Sequence, residues 1–368
     1  MRLIRMARIV VVAGVVFAMG PFDLSVPRAG ALDRTGRSPG PVVSKRLGPA
    51  LKGVVERLDP ESGGFYGSVL VAKKGEILLL ESCGHFDEAG AKKEPIPVDA
   101  QWDWASVSKQ FTAAAVLRLE QDGKLSIEDS IRKYFPELPD SHQPITLHHL
   151  LTHTSGLHQT GASGDPFARD RYVGGALAQM EVTAPPGEKW EYNNLTYGAL
   201  AAVVEKVSRK TFEEYCRKAL FAPARMSDTT FIGQRDLDLA RVPKDDRGKG
   251  QPFAYGTRLT WGYRGAGGVV STTIDMLRWH VALTGEKVLS AKSKERYYAV
   301  AKDDYACGWY VKQVPGETFY QHSGRVGESV CYFLRAEKAD IVVAIVYGYN
   351  PEIHPEQTAY KLYRIAAR

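Results

Sequence analysis

Strand-like runs crowd the two ends of this 368-residue chain and are nearly absent from its middle. Residues 65–72 and 77–83 are short apolar runs joined by the turn Lys73-Lys74-Gly75-Glu76. Comparable runs return only at 305–313, 318–322, 328–335 and 341–347. Between them, 111–120 has a helical pattern that stops near Gly123, and 143–289 reads as helical and loop-rich, broken at Pro185-Pro186-Gly187. A strand satisfies its backbone only by pairing, so the two end groups are expected to meet in one antiparallel sheet. Helical spacing at 47–58 and 352–367 supplies helices to cover it. The expectation is an α+β (mixed α/β) fold over 47–367. Its sheet lobe takes about 47–100 and 290–367, its helical lobe about 101–289, with a functional cleft at the junction.

The first residues read as a targeting segment. Arg2, Arg5 and Arg8 precede an apolar run at 9–19, and Ala29-Gly30-Ala31 has the small-x-small form of a cleavage site. The run is short for a bilayer span, so 1–31 is read as a secretory signal cut before Leu32, with an uncleaved anchor as the alternative. The Gly-, Pro- and Arg-rich stretch that follows, to about residue 46, is read as a linker. The expected location is therefore exported, periplasmic or secreted, with no membrane span after cleavage.

Charge and composition exclude several classes. The signal holds four of the 48 basic residues and one of the 42 acidic ones, which leaves the mature chain at 44 against 41, a net of +3. Lys and Arg are scattered, so no nucleic-acid partner is indicated. A chain that is 44% hydrophobic and 24% charged is ordinary globular material. No phosphate-binding glycine loop is present, and no organic cofactor is expected. Cys83, Cys216, Cys307 and Cys331 permit three pairings; a Cys307–Cys331 bridge is conceivable, and the other reading is four small buried hydrophobes.

The chemistry begins in WASVSKQFTAA, residues 104–114, which places Ser106 three residues before Lys109 at the start of a helix. Residues i and i+3 share a helix face, so both side chains would enter one cleft, at a terminus whose N–H groups favour negative charge. A serine needs a base, and a lysine stripped of water can be one. The spacing alone is weak. It recurs at Ser130-Ile-Arg-Lys133, read as a surface turn, and Ser106 could be only a helix N-cap. Tyr192-Asn-Asn194 is the chain's only Tyr-x-Asn triplet, offering a proton shuttle in Tyr192 and a hydrogen-bonding amide in Asn194. His322-Ser323-Gly324 closes a strand-like run, and a glycine there lets a substrate backbone approach.

Taken together and in this order, these elements resemble the serine β-lactamase and penicillin-binding protein superfamily. The likeness is greatest to the branch of class C β-lactamases, D-aminopeptidases, DD-carboxypeptidases and related esterases. LLTHTSGL at 150–157 and GGVVST at 267–272 also resemble family segments, so the likeness covers roughly 47–367. The resemblance implies Ser106 as nucleophile, with Lys109 either as its base or as the charge that tunes Tyr192. It implies Tyr192 as proton shuttle and Asn194 as a substrate and lysine ligand. Backbone N–H groups of Ser106 and Arg325 would form the oxyanion hole. His322 stands where class C β-lactamases place a lysine, and Ser323, Gly324 and Arg325 complete the substrate-binding strand. A histidine is mostly neutral at pH 7, which points to ester or D-peptide substrates rather than efficient β-lactam turnover; Arg325 could restore the charge by turning inward.

Other readings are weaker. His148, His149, His153 and His158 crowd one segment, and His149 and His153 could share a helix face, but no third ligand is nearby and no metal is expected. Trp102, Trp104, Trp190 and Trp309 flank the motifs and read as core or rim more readily than as cleft lining. The sequence therefore predicts an exported serine hydrolase acting through a Ser106 acyl-enzyme on an ester, D-amino-acid peptide or amide, or lactam carbonyl. Its partner would be a small-molecule or peptide substrate, cell-wall fragments among the candidates. The rival is a binding or sensor module of the same fold that never turns over. Specificity would lie in the loops around 158–180 and 233–258.

Overall fold

In the computed structural model, which describes residues 41–58, 65–85, 94–158, 167–243, 258–327, 329–348 and 353–368, alternating apolar residues at both ends of the chain join in one sheet. Its strands are β1 (Val42–Val43), β2 (Gly67–Lys73), β3 (Glu76–Cys83), β7 (Tyr310–Val314), β8 (Glu317–Val326), β9 (Ser329–Ala336) and β10 (Ile341–Gly348). The order is β1-β3-β2-β10-β9-β8-β7, every pair antiparallel. Strands β2 and β10 close the sheet along their full lengths, with Val69 opposite Ile345. The turn at Lys74-Gly75 takes positive φ at both positions, the twist a tight hairpin needs.

The period-two pattern sorts the central strands onto two cores. Val69, Val71, Val343, Ile345 and Leu334 face the terminal helices Gly48–Val55 and Pro355–Ala366, through Leu51, Ala359 and Leu362. Leu70, Ala72, Val342, Ala344 and Phe333 face the opposite way, into the helical lobe. A substantially helical lobe follows β3, with the helices Lys109–Gln121, Asn194–Ser208, Thr273–Thr284 and Ala291–Tyr298. It also holds a second, three-stranded sheet that the sequence reading lacked: β4 (Trp102–Asp103), β5 (Thr230–Phe231) and β6 (Val269–Ser271), in the order β4-β6-β5. Two- and three-residue strands carry too little periodicity to be seen in sequence.

Several expectations need adjustment. The stretch read as a linker contains β1, whose Val42 and Val43 pair with Leu80 and Leu79 at the sheet edge. Residues 305–309 precede β7 rather than belonging to it. Ser130 is an N-cap, accepting from the Arg132 N–H before the short helix Ile131–Tyr134, not a surface turn. All four cysteines are free; Cys307 and Cys331 are buried and make no bridge. The signal segment at 1–31, Glu328, Glu352 and parts of both loops assigned to specificity lie outside the described residues. Among the described residues, no helix is long and apolar enough to cross a membrane.

Candidate active site

The Ser106 turn is built from β4. Asp103 pairs with Val270 of β6, and the Trp104 N–H donates to Val269 O at 2.9 Å. The chain then tightens into a 3₁₀ turn, Ala105–Ser108, before the helix Lys109–Gln121. In a 3₁₀ turn side chains at i and i+3 eclipse, which aligns Ser106 with Lys109 more closely than an α-helical start. Ala105 enters the turn at φ +40°, a left-handed conformation that costs a residue with a Cβ about 1–3 kcal/mol. Its N–H donates to Asp103 Oδ1 at 2.7 Å.

Lys109 is wholly buried, and its Nζ has three neighbours in hydrogen-bond range: Asn194 Oδ1 at 2.7 Å, Ala266 O at 3.0 Å and Ser106 Oγ at 3.1 Å. Burial pushes its pKa well below the ordinary lysine value, with no carboxylate contributing against the shift. A neutral amine has two N–H groups and one lone pair. The two carbonyl oxygens can only accept, so they take the N–H groups and leave the lone pair for the Ser106 hydroxyl. The arrangement suits a general base.

Tyr192 lies over this centre, with Lys109 Nζ 4.7 Å from its ring centroid. Burial raises its phenol above the ordinary value, by more than the interaction with Ser106 lowers it, so it stays protonated. Asn193 caps the helix Asn194–Ser208 by accepting from the Leu195 N–H and anchors it by donating Nδ2–H to Leu157 O at 3.0 Å. That cap fixes where Asn194 meets Lys109. His153 supports the same segment: its Nδ1 accepts from the Asn193 N–H at 3.2 Å, and its ring packs 4.5 Å from Tyr192. His149 and His153 do not share a helix face. The helix ends at Leu151, His153 follows in a left-handed conformation, and His149 is spent in a capping box with Thr146.

The far wall is β8. Gly324 lies against the Ser106 turn so closely that a Cβ there would sit 2.9 Å from both Trp104 O and Ala105 Cβ, and 2.6 Å from Cys331 Sγ. His322 is buried. Its Nδ1–H donates to Ser323 O at 2.6 Å, which leaves Nε2 to accept from the Tyr305 hydroxyl at 3.2 Å. Burial lowers its pKa to about 3, so the ring is neutral and brings no cation to the cleft. Ser323 and Arg325 are exposed on the same strand. Together with Ser106, Tyr192, Tyr310 and Ile353, these residues line a cavity of about 470 Å³ at the junction of the two lobes.

Ser106, Tyr192, His322, Ser323, Gly324 and Arg325 thus share one cavity, with Lys109 and Asn194 directly behind it. The tryptophans are not in its lining: Trp102, Trp104 and Trp309 are core, and Trp190 packs on Tyr305 and Tyr310. Sequence reasoning missed the Ala266 carbonyl, which carries no side-chain signal, and Tyr305. It also missed Asp103, although an acid between two tryptophans in a buried run was a visible signal.

The family model described as beta-lactamase matches residues 55–368. The chain belongs to the beta-lactamase family. Among curated relatives, penicillin-binding protein 4* of Bacillus subtilis is 28% identical over 292 residues, covering 72% of this chain but only 64% of that protein. Among solved structures, an octameric penicillin-binding protein homologue from Pyrococcus abyssi superposes with a TM-score of 0.73 at 24% identity, covering 86% of this chain and 76% of the other. D-amino acid amidase from Ochrobactrum anthropi gives 0.70 at 21% identity, covering 87% and 98%. These likenesses establish the beta-lactamase fold around the cavity.

The fit of β8 against the serine turn is directly testable. Gly324→Ala is expected to leave the protein folded while slowing covalent labelling of Ser106 by about 10²-fold, the penalty of a roughly 1 Å displacement at a reacting centre. Labelling rates measured beside a thermal melt separate the two effects.

Proposed function

We propose that this beta-lactamase family member is an exported serine hydrolase that works through an acyl-enzyme on Ser106. The observation that carries the reading is the buried, carboxylate-free Lys109 with its lone pair directed at Ser106 Oγ. Lys109 takes the Ser106 proton as Oγ bonds to a substrate carbonyl carbon, and the carbonyl oxygen becomes an oxyanion facing the backbone N–H groups of Ser106 and Arg325. Tyr192, held as a neutral phenol, gives its proton to the departing group as the old bond breaks, and regains one from Lys109. Water then attacks the acyl carbon, its proton passing to the same pair, and Ser106 is released. Asn194 orients Lys109 and the substrate carbonyl. No step calls for a metal or organic cofactor.

The substrate class follows from the charge of the cavity. With His322 neutral and Arg325 at the exposed rim, no buried cation among the described residues of the cavity lining waits for a substrate carboxylate. Esters and D-amino-acid amides, which carry no carboxylate to be bound, fit better than β-lactams. The amidase likeness in fold agrees with this choice.

Intact mass after exposure to a fluorophosphonate is expected to show one adduct on the wild type and none on Ser106→Ala. A wild type that never labels would favour a non-turnover binding module. A chromogenic cephalosporin should be turned over with a kcat/KM at least about tenfold below that of short-chain esters, the size of one lost charge-assisted hydrogen bond. Rapid cephalosporin turnover would reverse the substrate assignment. Export is checked by N-terminal sequencing of secreted protein, expected to begin at Leu32.

A further inference from the structure

Asp103 lies under the nucleophile, not beside it. Its side chain is buried, and among the described residues three donors converge on it. They are the Ala105 N–H at 2.7 Å, the Tyr263 hydroxyl at 3.1 Å and the Gly268 N–H. Two of these are backbone groups that can only donate, so the site is shaped for an acceptor-only carboxylate. The Ala105 bond closes a turn of the Asp side chain onto the N–H two residues ahead, and Ala105 is the residue held at φ +40°. Ser106 follows at once. A small rotation there moves both its Oγ, now 3.1 Å from Lys109 Nζ, and its N–H.

We propose that Asp103 is a positioning residue that keeps Ser106 in its reactive geometry only while its carboxylate is charged. The proposal rests on the acyl-enzyme reading above and adds a pH control to it. Protonation puts a hydrogen on a group surrounded by donors, and the clamp on Ala105 loosens. Burial raises the Asp103 pKa from 3.8 to about 7, so the change falls in the working range. Other titratable groups near it among the described residues are Tyr263 and the Cys331 thiol on β9, whose own pKa burial raises well above the ordinary value.

The sign of the linkage sets Asp103 apart from a carboxylate that stabilises the fold through its charge. The folded-state pKa lies above the unfolded one, so the native protein binds more protons between about pH 4 and pH 7. Asp103 therefore lowers stability as pH rises through that window. A carboxylate held below its unfolded pKa by an ion pair or hydrogen bonds would do the opposite.

The experiment measures the rate of fluorophosphonate labelling from pH 5 to 9, with melting temperatures, for the wild type, Asp103→Asn and Tyr263→Phe. The wild-type rate is expected to fall on the acid side with a midpoint near 7. Tyr263→Phe removes a donor that favours the charged form, so its midpoint should move to higher pH with the alkaline plateau kept within about threefold. Asp103→Asn should label at least about tenfold more slowly at pH 8 and lose the acid limb, while its melting temperature at pH 8 equals or exceeds that of the wild type. An acid limb that neither variant moves would assign it to Lys109 and overturn the role of Asp103 alone. Equal labelling rates for Asp103→Asn and wild type would do the same. A wild type that does not label at any pH would overturn the acyl-enzyme reading and this one with it.

Discussion

The burial of one nitrogen, Lys109 Nζ, organises the site. Taking a lysine out of water is expensive if it stays charged, by several kcal/mol, and among the described residues no carboxylate is placed to offset that. The nitrogen is instead held by two uncharged carbonyl oxygens, each brought by a separately fastened segment. Ala266 O comes from a loop tied down by the largely buried Arg264–Glu213 pair at 2.7 Å and by the Thr112 hydroxyl donating to Gly265 O at 2.7 Å. Asn194 Oδ1 comes from the start of a helix capped by its own neighbour. The rings of Tyr192 and Tyr197 cover the remaining sides.

Around that nitrogen the electrostatics are consistently weak. His153 and His322 are buried, and desolvation holds both in the neutral form. Tyr192 and Tyr305 keep their protons for the same reason. Among the described residues, the histidine and tyrosine rings around the nitrogen thus bring it no fixed charge. A proton can then move between serine, amine and phenol without first being released from an ion pair. In the proposed reaction charge would appear as a pair, an ammonium on Lys109 and an oxyanion facing backbone dipoles.

Much of this was legible because the relevant signals were local or periodic. The unbroken apolar run at 341–347 and the apolar run at 65–72 mark strands buried on both faces, and these became the central pair of the sheet. Ser106, Lys109, Tyr192 and the 322–325 strand were readable because a spacing or a unique triplet marked them. What escaped was set by tertiary placement. The Ala266 carbonyl has no side-chain identity to read, and the three-stranded sheet is too short to show a period. The neutrality of His322 depends on the burial it finds and on the Ser323 carbonyl that fixes its tautomer. The left-handed Ala105 was invisible because alanine, unlike glycine, gives no warning of such a conformation.

The pairing of β2 with β10 has a kinetic side. Val69 and Ile345 stand 276 positions apart along the chain, and the β8 glycine that walls the nucleophile follows Ser106 by more than two hundred. Contacts of such separation form late, because the loop between them must surrender its freedom before the contact returns anything. During folding the serine, the lysine and the tyrosine can each sit in formed local structure while the cleft still lacks its wall. On the proposed mechanism, reactivity would therefore await the finished sheet, and a partly folded chain would carry Ser106 in an inert state.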